Sequence, residues 1–250
     1  MDFKLKRRKI SYDQRGFKYW EVTEESASYE PGEIAVVIVD MWDSHWSGGA
    51  AVRCAELAER VDAAVRIARN AGMLIVHAPS ETMGFYENSP ARRRALAAGP
   101  AEPEIKIEVK DYAQPVDATD GGSDTDDSLA PHTAVWTRQS EKIFIDEDLD
   151  LVSDEGSIVY SNFIKRGIKF VLYMGVHTNM CVLNRTFAIK AMLRRGMNIA
   201  LVRDLTDAMY NPERPPYVGH DEGTRLIVEY IEKFYCPTVD GGQLTGNGLI

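Results

Sequence analysis

Two residues combine a reactive side chain with a position that prepares it for chemistry. Cys181 follows the apolar, β-rich run Ile168–Met174, the stop at Gly175 and the turn Val176–Met180. The segment Cys181–Leu193 then reads as a helix that closes on Arg194, Arg195 and Gly196, where cations and a glycine suit a helix C-terminus. A thiol in a first helical turn feels unpaired backbone N–H groups and the positive end of the dipole, which favour thiolate. A thiol nucleophile also needs a base to take its proton and return it to the leaving group. Asp40 is the candidate: it is the last residue of the hydrophobic strand Glu33–Asp40, where partial burial would raise its pKa. Each residue also has a plainer reading, Cys181 as a small buried hydrophobe and Asp40 as a turn cap. Their pairing at the ends of two buried strands favours chemistry.

The residues around both positions resemble a known family. Val37-Ile-Val-Asp-Met-Trp42 is similar to the first-strand motif of the isochorismatase-like cysteine hydrolases, and Gly175-Val-His-Thr-Asn-Met-Cys-Val182 resembles their Gly-Val-x-Thr-x-x-Cys-Val signature. Asp204-Leu-Thr-Asp-Ala208 is similar to the Asp-Ala segment that follows the next strand. The resemblance spans about Glu33 to Phe234, and the superfamily includes nicotinamidases, N-carbamoylsarcosine amidohydrolase and ureide hydrolases. It implies a cofactor-independent hydrolase of a small amide or ureido C–N bond, working through a Cys181 thioester with Asp40 as general acid and base. It also implies an oxyanion hole from the backbone N–H groups of His177 and Cys181, a cis peptide before His177, and assembly into a homo-oligomer.

The match is incomplete at the third catalytic position. The family carries a lysine about six residues before an aromatic, and counting back from Phe144 that slot holds Arg138, with Lys142 as an alternative. An arginine can hold a carboxylate ionised, but its planar fork does not replace an ammonium directly. The Asp-x-His metal motif of nicotinamidases is missing from His77-Ala-Pro-Ser-Glu81, and His45, His132, His177 and His220 show no ligand spacing, so no metal is implied. His77 reads as an edge-of-core histidine. The loop Trp42-Asp-Ser-His-Trp46 would wall the substrate pocket with Trp42, His45 and Trp46, or else tuck its tryptophans under the N-terminal segment. Tyr210 and Arg203 are further pocket candidates. The sequon Asn184-Arg-Thr186 falls inside the expected helix and reads as chance.

The elements that must position these residues follow from hydrophobic pattern. Strands are expected at Glu33–Asp40, Met73–His77, Thr133–Thr137, Ile168–Met174 and Met197–Val202, with Ile143–Ile145 a short extra one. Helices are expected near residues 50–70, 91–98, 153–166, 181–193 and 220–234. This alternation predicts an α/β, three-layer α-β-α fold around a mainly parallel sheet, with chemistry beyond the C-terminal strand ends. Residues 1–32 read as an arm without period, 33–236 as the hydrolase domain with an acidic surface excursion at 99–131, and 237–250 as a loose tail. A chain of 250 residues with 44% apolar content can bury a sizeable core. Its net charge of -9 argues against nucleic acid or an anionic membrane as partner. Three scattered cysteines suggest no disulfide framework, so cytoplasm is expected, with a trimmed signal sequence left open. Two other readings stand beside the amidohydrolase: a silent relative kept for binding or assembly, which Arg138 would favour, and an isochorismatase-type vinyl-ether hydrolase.

Overall fold

The computed structural model describes residues 1–245. An eight-stranded sheet runs in the order β2-β1-β8-β7-β6-β3-β4-β5. Its strands are β1 (Asp2–Tyr12), β2 (Lys18–Ser28), β3 (Ile34–Val39), β4 (Leu74–Ala78), β5 (Leu151–Val152), β6 (Phe170–Val176), β7 (Asn198–Asp207) and β8 (Thr238–Val239). From β8 to β5 every pairing is parallel, whereas β1 joins antiparallel. The fold is the expected α/β sandwich, and its two faces are separated by the strand period of two. Ala35, Val37 and Val39 of β3 face one core, while Ile34, Val36 and Ile38 face the other. On the second side lies α1 (Gly48–Asn70), which buries Leu57, Val61 and Val65. The first side is covered by α3 (Gly156–Lys165), α4 (Cys181–Asn184), α5 (Ile189–Arg194) and α6 (His220–Phe234). Short helices α2 (Pro90–Leu96) and α7 (Gly242–Thr245) complete the layers, and no helix among the described residues is long and apolar enough to cross a membrane.

Four expectations are corrected. Residues 1–32 are a β1–β2 hairpin that extends the sheet, paired from Asp2↔Ser28 to Tyr12↔Lys18. Its period is weak because a two-stranded ribbon at a sheet edge is wetted on much of both faces. Thr133–Thr137 and Ile143–Ile145 form no strand; the edge strand is the two-residue β5, and only the bridge Trp42↔Gln139 joins the 133–139 segment to the turn after β3. The tail is not loose where it is described, since Thr238 and Val239 enter the sheet; residues 246–250 lie outside the described residues. The expected helix 181–193 is two helices, interrupted at Arg185–Ala188.

That interruption has a tertiary cause. Gly156, the first residue of α3, packs so closely on Thr186 that a Cβ there would lie 1.9 Å from the Thr186 carbonyl oxygen. Its N–H donates to Thr186 Oγ1 at 3.1 Å, and Arg185 takes an extended conformation, φ -59 and ψ 158.

Candidate active site

Asp40 and Cys181 sit side by side at the C-terminal end of the sheet. The strands that carry them, β3 and β6, are neighbours in register from Ile34↔Phe170 to Val39↔Gly175. Gly175 permits this: with φ 108, any Cβ would lie 2.2 Å from the Val39 carbonyl oxygen. Asp40 is fully buried and held at φ 46, a left-handed conformation uncommon outside glycine. One carboxylate oxygen accepts the Ser80 N–H at 2.7 Å, and the other accepts Arg185 Nε at 3.2 Å. The Asp40 carboxylate and the Arg185 guanidinium both act on the Cys181 thiol, the carboxylate raising its pKa and the guanidinium lowering it.

The turn before Cys181 is clamped to β7 and the residues just after it. The Thr178 N–H donates to the Asp207 carbonyl at 2.8 Å, and Asn179 exchanges two hydrogen bonds with the backbone of Met209, at 2.8 and 2.9 Å. The Val176–His177 peptide is cis. Among the described residues the N–H groups of His177 and Cys181 take no partner, so both remain open to a substrate oxygen. The electrostatics correct one expectation. A four-residue helix supplies little dipole, and burial, together with the adjacent Asp40 carboxylate, pushes the Cys181 thiol up rather than down. Burial likewise raises Asp40, against the pull of Arg185. Both shifts favour the protonated form of each group.

The cation that the structure brings to Asp40 is Arg185, at 3.2 Å, not Arg138 or Lys142. Arg138 pairs with Glu141 at 2.5 Å, approaches Asp43 at 4.0 Å and lies over the Phe85 ring. Lys142 binds Glu59 at 2.7 Å and the Ala55 carbonyl on the outside of α1. The reason is the missing third strand: residues 137 and 138 instead hydrogen-bond through their N–H groups to Asp43, which directs that loop away from Asp40. Arg185 carried one legible signal, its place four residues after Cys181, which on a helix shares a face with it.

A cavity of about 160 Å³ opens in front of Cys181. Trp42, His45 and Trp46 line it, as does Trp136, stacked on Trp42 at 4.1 Å. The indole of Trp42 is fixed by its N–H bond to the Ser80 carbonyl, 3.1 Å. Met180, Met209 and Glu81 add walls that the sequence left unmarked. Tyr210 does not reach the cavity; it is buried beneath Gly223, with its hydroxyl donating to the Arg214 carbonyl. Arg203 pairs with Asp240. His77 is a core residue, bonded to Gln139 and Asp150 at 3.0 Å each. The excursion 99–131 is tied over this end of the sheet, through Arg53–Asp124 at 2.7 Å and Gln114 to the Asn179 carbonyl at 2.8 Å.

An isochorismatase domain model matches residues 34–215. The chain belongs to the isochorismatase family. Two solved structures share the fold of this isochorismatase-family chain. A cysteine hydrolase from Pseudomonas syringae pv. phaseolicola superposes with TM-score 0.55 at 16% identity, covering 86% of this chain and 92% of its own. An isochorismatase-hydrolase relative from Oleispira antarctica gives 0.51 at 14% identity, covering 88% and 100%. At these identities the likeness is one of fold. No curated protein sequence matches the chain significantly. The hairpin, α6 and β8 lie outside the family match.

Proposed function

We propose that this isochorismatase-family protein hydrolyses the C–N bond of a small amide or ureido compound through a Cys181 thioester. The observation that carries the reading is that buried Asp40, held by Arg185 Nε at 3.2 Å, and Cys181, which lines the tryptophan-walled cavity, stand at the ends of the neighbouring strands β3 and β6. Substrate enters the tryptophan-lined cavity and places its carbonyl oxygen against the N–H groups of His177 and Cys181. Asp40 takes the thiol proton as sulfur attacks the carbonyl carbon, giving a tetrahedral oxyanion. Two such N–H donors contribute about 3–4 kcal/mol each in comparable sites. Collapse breaks the C–N bond, and Asp40 returns the proton to the departing ammonia or amine. Water, deprotonated by Asp40, then attacks the thioester and frees the acid and the thiol. Arg185 stabilises negative charge on sulfur and carboxylate without titrating, since a guanidinium stays cationic.

The vinyl-ether reading is less well supported. The arginine that lines the cavity, Arg185, already faces the two carboxylates Asp40 and Glu81, which poorly suits an anionic enol ether. A silent relative would not need a buried carboxylate and a thiol at neighbouring strand ends beside two open N–H groups. Ammonia release from a panel of small amides, carbamoyl compounds and ureides tests the proposal. Release that disappears in Cys181→Ala supports it, and release that survives the substitution overturns the thioester route.

A further inference from the structure

The geometry points to a two-fold dimer in which the β1–β2 hairpin of each copy lays its tip in an apolar groove of the other. The hairpin precedes the segment that the isochorismatase model matches and lines no part of the cavity in front of Cys181.

The base of the hairpin is fixed and its tip is bare. β1 joins the sheet at Lys6↔Thr238, and Arg8 ties it to Glu229 and Glu232 of α6, at 2.8 and 2.9 Å. Trp20 meets Phe234 edge-on at 5.5 Å. Beyond that contact, every hydrogen bond, ion pair and ring contact of residues 11–19 stays inside the hairpin. Yet Ile10, Tyr12, Phe17, Tyr19 and Val22 stand 45–63% exposed on this one ribbon. At that fraction each shows about 100 Å², so one arm offers about 500 Å². A two-stranded ribbon with so much uncovered apolar surface gains by burying it.

A receiving surface is present on the same chain. A groove of about 520 Å³ has apolar walls from Ile107, Val109, Leu193, Met197 and Phe234, with Ile107 and Tyr112 exposed. Residues Glu104–Val109 alternate charged and apolar side chains as a strand does, yet they join no sheet. Among the described residues their one backbone hydrogen bond runs from the Ile107 N–H to the Arg194 carbonyl, 2.7 Å. Charge makes the occupant a second copy. In a chain of net charge -9, the stretch 9–19 is cationic, with Lys9, Arg15 and Lys18 against Asp13. Lys18 has no carboxylate partner, and on the groove side neither Glu104 nor Glu108 has a cation; Lys110 is the unpaired cation beside them, which leaves that margin acidic by one. Area agrees: with the facing groove counted, two such contacts cover about 2,000 Å², the upper end of the range for specific interfaces. One arm and one groove per chain also satisfy each other in a closed pair, with neither surface left over. The full β1–β2 ladder holds the arm in shape beforehand, which lowers the entropic cost of docking.

Sedimentation of the full chain tests the dimer. At about 10 μM the unmodified protein should sediment with twice the mass of one chain, because interfaces of this area reach micromolar dissociation constants or tighter. Tyr12→Glu with Phe17→Glu on the arm, or Ile107→Lys in the groove, should each raise the dissociation constant about tenfold or more. All three positions are exposed, so circular dichroism and Tm should hardly move. Mixing the arm variant with the groove variant should restore association beyond that of either alone, since the unaltered arm of one still meets the unaltered groove of the other. Leu149→Glu, exposed beside β5 at the opposite edge of the sheet, is the control and should change nothing. A protein still monomeric at about 100 μM overturns the proposal and leaves the arm to another partner or to none. A dimer that survives both sets of substitutions, or that Leu149→Glu breaks equally, overturns it as well. Mixing without recovery overturns the placing of arm in groove, since arms that pair with arms cannot be rescued this way.

Discussion

Arg185 donates from Nε to Asp40 Oδ2 at 3.2 Å, so the cation beside this carboxylate comes from the segment of Cys181, four residues after it. Asp40, Cys181 and Arg185 therefore stand at the ends of two adjacent strands, β3 and β6, and of the short helix α4.

Removing this cation should cost activity out of proportion to its exposure. Asp40 is fully buried, and a buried carboxylate without its partner takes up a proton. Arg185→Met should lower kcat/KM by about a hundredfold or more, a loss near 3 kcal/mol. Arg185→Lys should recover part of that, since it restores charge without the fork. The same changes at Arg138 should leave kcat/KM within a few-fold. Steady-state kinetics on the best amide of the panel decides, and a larger loss at Arg138 would return the family's lysine role to that loop.

Thiol reactivity and catalysis should move in opposite directions. In the unmodified protein burial and the Asp40 carboxylate hold the Cys181 thiol protonated. Replacing Asp40 by Asn removes the negative neighbour and leaves Arg185, so the thiol pKa falls. Asp40→Asn should thus alkylate faster at Cys181 with iodoacetamide at neutral pH while hydrolysis is lost. Cys54 and Cys236, buried and pushed up to about 12, should stay slow in both. Sluggish labelling of the resting protein is therefore compatible with catalysis; slower labelling in Asp40→Asn would contradict the pairing.

The pH profile follows from the same two shifts. Activity requires one proton on the Asp40–Cys181 pair. Below the raised Asp40 pKa both members are protonated, so kcat/KM should fall on the acid side above the usual carboxylate range. Above the raised thiol pKa neither carries a proton, which puts the alkaline fall beyond that of an ordinary cysteine. Arg185 adds no limb. A profile of kcat/KM showing an acid limb at the value of an exposed aspartate would contradict the burial of the base.

Gly156→Ala tests how Arg185 is placed. The added Cβ would sit 1.9 Å from the Thr186 carbonyl oxygen and must displace the break that releases Arg185. Overpacking of this kind costs about 1–3 kcal/mol, or several degrees in Tm for a chain of this size. Activity measured well below the new Tm should fall as well. Gly167→Ala is the control: φ is +69 but nothing lies within 4 Å of the new Cβ, so Tm falls modestly and activity holds. Equal activity in both variants would detach Gly156 from the site.

Much of the site was legible in the sequence because it is written locally. Strands buried on both faces produce unbroken apolar runs, and β3 and β6 end where those runs end, at Asp40 and before Cys181. The loop Trp42–Trp46 follows the base directly, so its residues had to stand near it. The sequence alone thus determined the α/β class, the two strand ends and the residues presented there. Only the tertiary structure decided which cation completes the set and how the thiol titrates. Arg185 reaches Asp40, 145 positions away, because the strands that carry Asp40 and Cys181 are neighbours in the sheet, and the helix stops just after it, where Gly156 packs on Thr186. The thiol is protonated because desolvation and a neighbour 141 positions away outweigh a short helix dipole. Both effects arise from atoms brought together across the sheet, and neither the period of a segment nor its composition records which distant atoms those will be.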